Sequence, residues 1–161
     1  MVSGLVAALA LAVSTYNVYL QRQQIRAQVW PRLHFTFSNI SGFSYNLQNS
    51  GVGPAIVENV CLLVDDKPMA DWDEALHVLT GKEMNDAVTS FMTGKVFTPG
   101  EVMHPLELRD ATDAALLNAQ KKRLRVEICY CSTLQECWLL RSPRAPEPVE
   151  RCRPCSRPFA G

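Results

Sequence analysis

The residues of this chain best suited to chemistry are its cysteines. There are six in 161 residues: Cys61, Cys129, Cys131, Cys137, Cys152 and Cys155. Three chemistries are open to them. Four thiolates, from Cys131, Cys137, Cys152 and Cys155, could hold a structural zinc that ties the C-terminal tail to a hairpin. Their spacing, C-x5-C-x14-C-x2-C, has a first pair wider than the common knuckle. Disulfides are the second reading, Cys131–Cys137 with Cys152–Cys155 or a crossed pairing, and the even number of cysteines favours it outside the cytoplasm. In the third the thiols stay reduced, and Cys61 and Cys129 are small core residues. A thioredoxin-like Cys-x-x-Cys opens a helix after a strand. Cys152-Arg153-Pro154-Cys155 lies instead in a Pro/Arg-rich stretch, so oxidoreductase chemistry is not supported.

The remaining candidates have structural explanations. His34, His77 and His104 show no metal spacing with one another. Asp65-Asp66 and Asp71-Trp72-Asp73-Glu74 lack the spacing of a calcium loop and suit turns and helix caps. Gly51-Val52-Gly53 is followed by a β-rich run rather than a helix N-terminus, which excludes a phosphate cradle. Lys121-Lys122-Arg123 with Arg125 is a basic spot that suits a solvated turn or lipid headgroups. No Ser-His-Asp or Cys-His set has a local signature, so no catalytic residue, cofactor site or small-molecule substrate is assigned. Sixteen basic residues balance sixteen acidic ones, and no field recruits nucleic acid.

The elements that position these residues follow from periodicity. Leu33, Phe35 and Phe37 alternate with His34, Thr36 and Ser38 as a half-buried strand, and Phe43, Tyr45 and Leu47 alternate after a Ser41-Gly42 turn. Asn49 to Ala55 reads as a loop whose two glycines suit positive φ. Ile56 to Val64 is a long strand ending in an Asp65-Asp66-Lys67 turn. Asp71 caps a helix with Glu74 as its capping-box partner, and Gly81 closes it. Short strands are predicted at Val88 to Met92 and Val96 to Thr98, then a strand at Val102 to Leu108 and a helical turn at Ala111 to Lys121. Leu124 to Cys131 and Cys137 to Leu140 make a hairpin in which Cys129 and Cys131 share one face and Tyr130 takes the other. Residues 142–161 hold five prolines and four arginines and read as an irregular tail.

Val2 to Leu20 contains no charge, and as a helix it spans roughly 28 Å, near the hydrocarbon thickness. The sequence therefore predicts a transmembrane helix with a polar stalk (residues 1–28), an immunoglobulin-like antiparallel β-sandwich with two short helical inserts (29–141) and the tail (142–161). Arg22, Arg26 and Arg32 follow the span, so the positive-inside rule puts the domain in the cytoplasm, with the periplasm as the alternative. Gly4, Ala7, Ala8 and Ala12 would let another helix approach closely, and Asn17 would need an interface or a partner.

Trp30-Pro31, then Asn49, Gly51, Gly53, Pro54 and Ala55, then Tyr130, Ser132 and Trp138 together resemble a set of uncharacterised bacterial single-span membrane proteins. The resemblance implies a small β-sandwich tethered at the bacterial inner membrane and carries no known reaction. The expectation is a non-enzymatic accessory or interaction protein. Its helix and sandwich would pack against lipid and a larger integral membrane protein complex. A zinc-binding or redox-sensing domain, resting on the cysteines, is the alternative.

Overall fold

A computed structural model describes residues 2–40, 42–84 and 86–160. Along the chain lie α1 (Val2–Gln28), β1 (Leu33–Ser38), β2 (Phe43–Asn49), β3 (Ala55–Val64), β4 (Lys67–Met69), α2 (Trp72–Thr80), β5 (Ala87–Thr89) and β6 (Val96–Phe97). There follow β7 (Val102–Leu108), α3 (Ala111–Gln120), a 3₁₀ turn (Lys121–Arg123), β8 (Leu124–Cys131), β9 (Cys137–Arg141) and β10 (Glu147–Val149). The strands form two open antiparallel sheets, a four-stranded one in the order β1-β2-β7-β5 and a six-stranded one in the order β10-β9-β8-β3-β4, with β6 paired to β3.

This corrects the expectation of a transmembrane helix followed by an immunoglobulin-like sandwich with two inserts. Among the described residues the fold is mainly β with three α-helices and open sheets. Among the described residues no helix is long and apolar enough to cross a membrane. The apolar run of α1 is interrupted at Ser14, Thr15 and Asn17, and a polar stretch from Gln21 to Gln28 completes the helix. With no spanning helix among the described residues, the positive-inside argument has nothing to act on. A single-pass inner-membrane location, with the domain on either side, is not supported.

Alternation supplies the core. Leu33 and Phe35 of β1, Phe43, Tyr45 and Leu47 of β2, and Val126, Ile128 and Tyr130 of β8 point between the sheets and are buried. In β3 the inward set changes parity, from Ala55 and Val57 to Val60, Leu62 and Val64, across a register shift between Val57 and Asn59. The extra residue of that bulge keeps both halves of the strand apolar-side inward. Each fully buried leucine, such as Leu33 or Leu62, contributes about 1.5–3 kcal/mol. Phe35 stacks on Tyr45 at 5.0 Å, and Tyr45 on Trp72 of α2 at 5.9 Å, so α2 closes the core from one side.

Asp71 accepts from the Glu74 N–H at 2.8 Å, and Gly81 takes the left-handed conformation at φ 76°. The Glu74 carboxylate reaches one residue further back than in a capping box and accepts from the Ala70 N–H at 2.7 Å. Asp110 caps α3 in the same way, accepting from Thr112 and Asp113. The glycines of the Asn49–Ala55 loop serve close approach rather than positive φ. A Cβ on Gly53 would lie 2.2 Å from the Val29 carbonyl carbon, and one on Gly51 would lie 2.4 Å from the Arg32 nitrogen. Asn49, fully buried, holds the loop. Its Oδ1 accepts from Arg32 and Gly51, and its Nδ2 donates to the Gly53 and Phe97 carbonyls.

The tail carries more structure than its composition predicts. Strand β10 adds to the edge of the six-stranded sheet beside β9, with Pro148 where an unpaired N–H would otherwise face solvent. Phe159 is buried edge-on against Trp72 at 6.0 Å, and Arg157 reaches Glu74 at 2.8 Å.

Candidate functional site

Two places in the fold gather residues with chemical potential, one on the outer face of the six-stranded sheet and one at an edge between the sheets. The outer face is built by the strand period. Asn59 and Cys61 of β3, Glu127, Cys129 and Cys131 of β8, and Cys137 of β9 all point away from the core, while Tyr130 points into it. The tail crosses this face and is bridged to it. Disulfides join Cys61 to Cys155, Cys129 to Cys152 and Cys131 to Cys137, with Cα–Cα separations of 5.8, 5.6 and 4.0 Å. Between tail and sheet lies a groove of about 560 Å³ that includes Glu127, Arg141, Arg151 and Arg153, and the Arg153 carbonyl accepts from Asn59 Nδ2 at 2.7 Å.

The sequence readings of the cysteines meet this arrangement unevenly. Cys131 and Cys137 face each other across the hairpin in register and are bonded. Cys152 and Cys155 do not pair with each other, because the tail runs across two strands and each finds a partner on a different one. Cys61 and Cys129 are therefore bridge partners and not inert core thiols. The sulfurs of Cys131, Cys137 and Cys152 lie within 4.8 Å of one another and, with their bridges reduced to thiolates, could hold a metal ion. Cys155 is placed with Cys61 on the neighbouring strand. Nothing in the spacing pointed to Cys61, which lies 94 residues from its partner; only its outward register on β3 marks it.

The second place is a cleft of about 1010 Å³ where the end of β1 faces the start of β8. Phe35, Phe37 and Tyr45 form an aromatic wall, and Lys121, Lys122, Arg123 and Arg125 form a basic rim. Lys121 Nζ sits 3.7 Å over the Phe37 ring, a cation–π contact. Arg123 grips Asp65 through Nε and Nη2, and Arg125 reaches Asp66 at 2.6 Å. The hydrogen bond from Arg123 holds the Asp65 carboxyl below its ordinary range and raises Arg123 in turn. Burial pushes the Tyr45 phenol far up, with no hydrogen bond to oppose it. Tyr130 is pushed up to about 12 by burial, opposed by the hydrogen bond its oxygen accepts from the Leu33 N–H. The basic spot visible in the sequence thus borders a cleft, which single-strand periodicity could not reveal.

His104 Nδ1 contacts Asn46 Oδ1 at 2.7 Å at the surface, and neither His34 nor His77 joins a potential metal cluster among the described residues. Gly4, Ala7, Ala8, Ala12 and Asn17 all lie exposed on α1. No family model, curated protein or solved structure matches the chain.

Proposed function

We propose that this chain is a non-enzymatic interaction domain, an accessory part of a larger protein assembly. The observation that carries the reading is the aromatic cleft with its basic rim, a large, partly apolar opening that holds no nucleophile beside a base. Two bridges fasten the tail to the sheet and a third closes the β8–β9 hairpin, and a rigid scaffold of this kind lowers the entropy lost on docking. They also suit an oxidising compartment, where disulfides persist.

A second reading rests on the sulfur cluster. Reduction of the two neighbouring bridges would free Cys131, Cys137 and Cys152, whose sulfurs lie within 4.8 Å of one another, as three thiolates for structural zinc, with Cys129 beside Cys152. One isolation separates the two readings. The chain is purified from the cells that make it, with thiols trapped at lysis. Elution in a stoichiometric complex with another protein, with no free thiol and no zinc, is the expected result. A monomer carrying one zinc per chain would overturn the interaction reading in favour of the metal one.

A further inference from the structure

The main-chain groups along the cleft identify what it takes. Ser50 donates to the Arg32 carbonyl, and Asn49 donates towards Glu101 on the opposite side of β2. Hydrogen bonds alternate sides along an antiparallel strand. The β1–β2 ladder therefore runs through His34, Thr36 and Ser38, paired with Gln48, Asn46 and Ser44. Leu33, Phe35 and Phe37 turn their N–H and C=O groups the other way. The Leu33 N–H finds the Tyr130 hydroxyl at 3.3 Å. Phe35 and Phe37 face the cleft, at the free edge of the four-stranded sheet.

An edge strand with unpaired groups is a template for another strand, and proteins usually cover or charge it. Here the charges stand on the facing wall instead. Lys121, Lys122, Arg123 and Arg125 confront two carboxylates, Asp65 and Asp66, each already paired to an arginine. Neither Lys121 nor Lys122 has an ion pair among the described residues, and Lys121 Nζ has the Phe37 ring and the neutral Asn118 amide beside it. The rim is left net positive. The largely buried ring of Tyr45 lines the same cleft.

Resting on the interaction-domain reading, we propose that the cleft binds an extended acidic segment of a partner protein. The segment adds as a strand to β1, bonding the main chain of Phe35 and Phe37 while its carboxylates meet Lys121 and Lys122. Main-chain pairing would give the affinity, and the basic rim the choice of partner. An anionic lipid would satisfy the rim but leave the strand edge unpaired, so a peptide is the better fit.

The test uses the full chain with its bridges intact and two labelled peptides of alternating threonine and valine, one ending in three glutamates and the other in three lysines. The glutamate peptide is expected to bind and to protect the Phe35 and Phe37 amides from hydrogen exchange. The lysine peptide is expected to bind about tenfold more weakly, as is the glutamate peptide to Lys122→Glu. Phe37→Pro removes an outward N–H without touching the ladder and should weaken binding similarly. Equal binding of the two peptides, absence of protection at Phe35 and Phe37, or binding only to phosphatidylglycerol vesicles would overturn the proposal. If neither peptide binds while the chain still isolates with a stoichiometric partner, the cleft assignment fails and the interaction-domain reading stands. If the glutamate peptide binds but the chain isolates alone, the cleft assignment stands and that reading fails.

Discussion

Replacing Cys61 and Cys155 together by alanine removes the bridge that closes the longest stretch of chain, 94 residues. In the chain-entropy account a cross-link restricts the unfolded chain by an amount that grows with the logarithm of the enclosed length. For 94 residues that amounts to about 4.7 kcal/mol at 25 °C, and for the 6 residues between Cys131 and Cys137 to about 2.2 kcal/mol. The Cys129–Cys152 bridge shortens the path from Cys61 to Cys155, but the logarithm makes that a change of only a few tenths of a kcal/mol. A domain of this size loses about 3–4 °C in Tm per kcal/mol. Cys61→Ala with Cys155→Ala is therefore expected to melt about 15 °C lower than the native chain, and Cys131→Ala with Cys137→Ala about 7 °C lower. Calorimetry on each double variant, with the remaining bridges verified by peptide mapping, makes the comparison. A hairpin variant that loses as much as the long-range one would refute the reasoning, because the loss would then not follow the enclosed length.

Asn49→Ala is expected to cost about 3 kcal/mol or more, since it strips partners from the Arg32 and Gly51 N–H groups and two carbonyls. Urea denaturation measures it, and a loss under about 1 kcal/mol would contradict the role given to this side chain. Gly53→Ala is expected to destabilise the chain in the same assay, because its new methyl would meet Val29 backbone atoms that no rotamer change can move. A neutral result would count against the close approach. Acid should unfold the domain gradually. Glu74, Glu101 and Asp110 are held low chiefly by backbone N–H donors, from Ala70, Thr98 and Asp113. Depressed native values mean stability present above the unfolded values of 4.5 and 3.8 and lost as the pH falls through the native ones. Glu74→Gln should flatten part of that decline in a stability profile between pH 5 and pH 2, and an unchanged slope would argue against it.

Strands that alternate strictly were legible from residues alone, as Leu33, Phe35 and Phe37 or Phe43, Tyr45 and Leu47 show. Asp71 and Gly81 marked the ends of α2 because capping chemistry is local. Three-residue strands such as β4 and β10 carry too little pattern to read and exist because longer neighbours offer them an edge. The α1 segment misled because the absence of charge is not the same as an apolar run: Ser14, Thr15, Tyr16 and Asn17 are uncharged yet polar. Cysteine pairing was only partly accessible. The hairpin fixed Cys131 opposite Cys137, whereas Cys61–Cys155 depends on where a proline-rich tail crosses the sheet. The cleft was invisible for the same reason, since Phe37 and Lys121 meet only once two sheets are stacked.

Hydrogen exchange on the chain within its isolated assembly, compared with the chain released from it, tests the central claim most directly. Docking at the open edge predicts that residues 33–38 and 121–126 gain protection in the assembly and lose it on release. Protection confined to α1 or to the disulfide-bridged face, with β1 exchanging equally in both states, would contradict it.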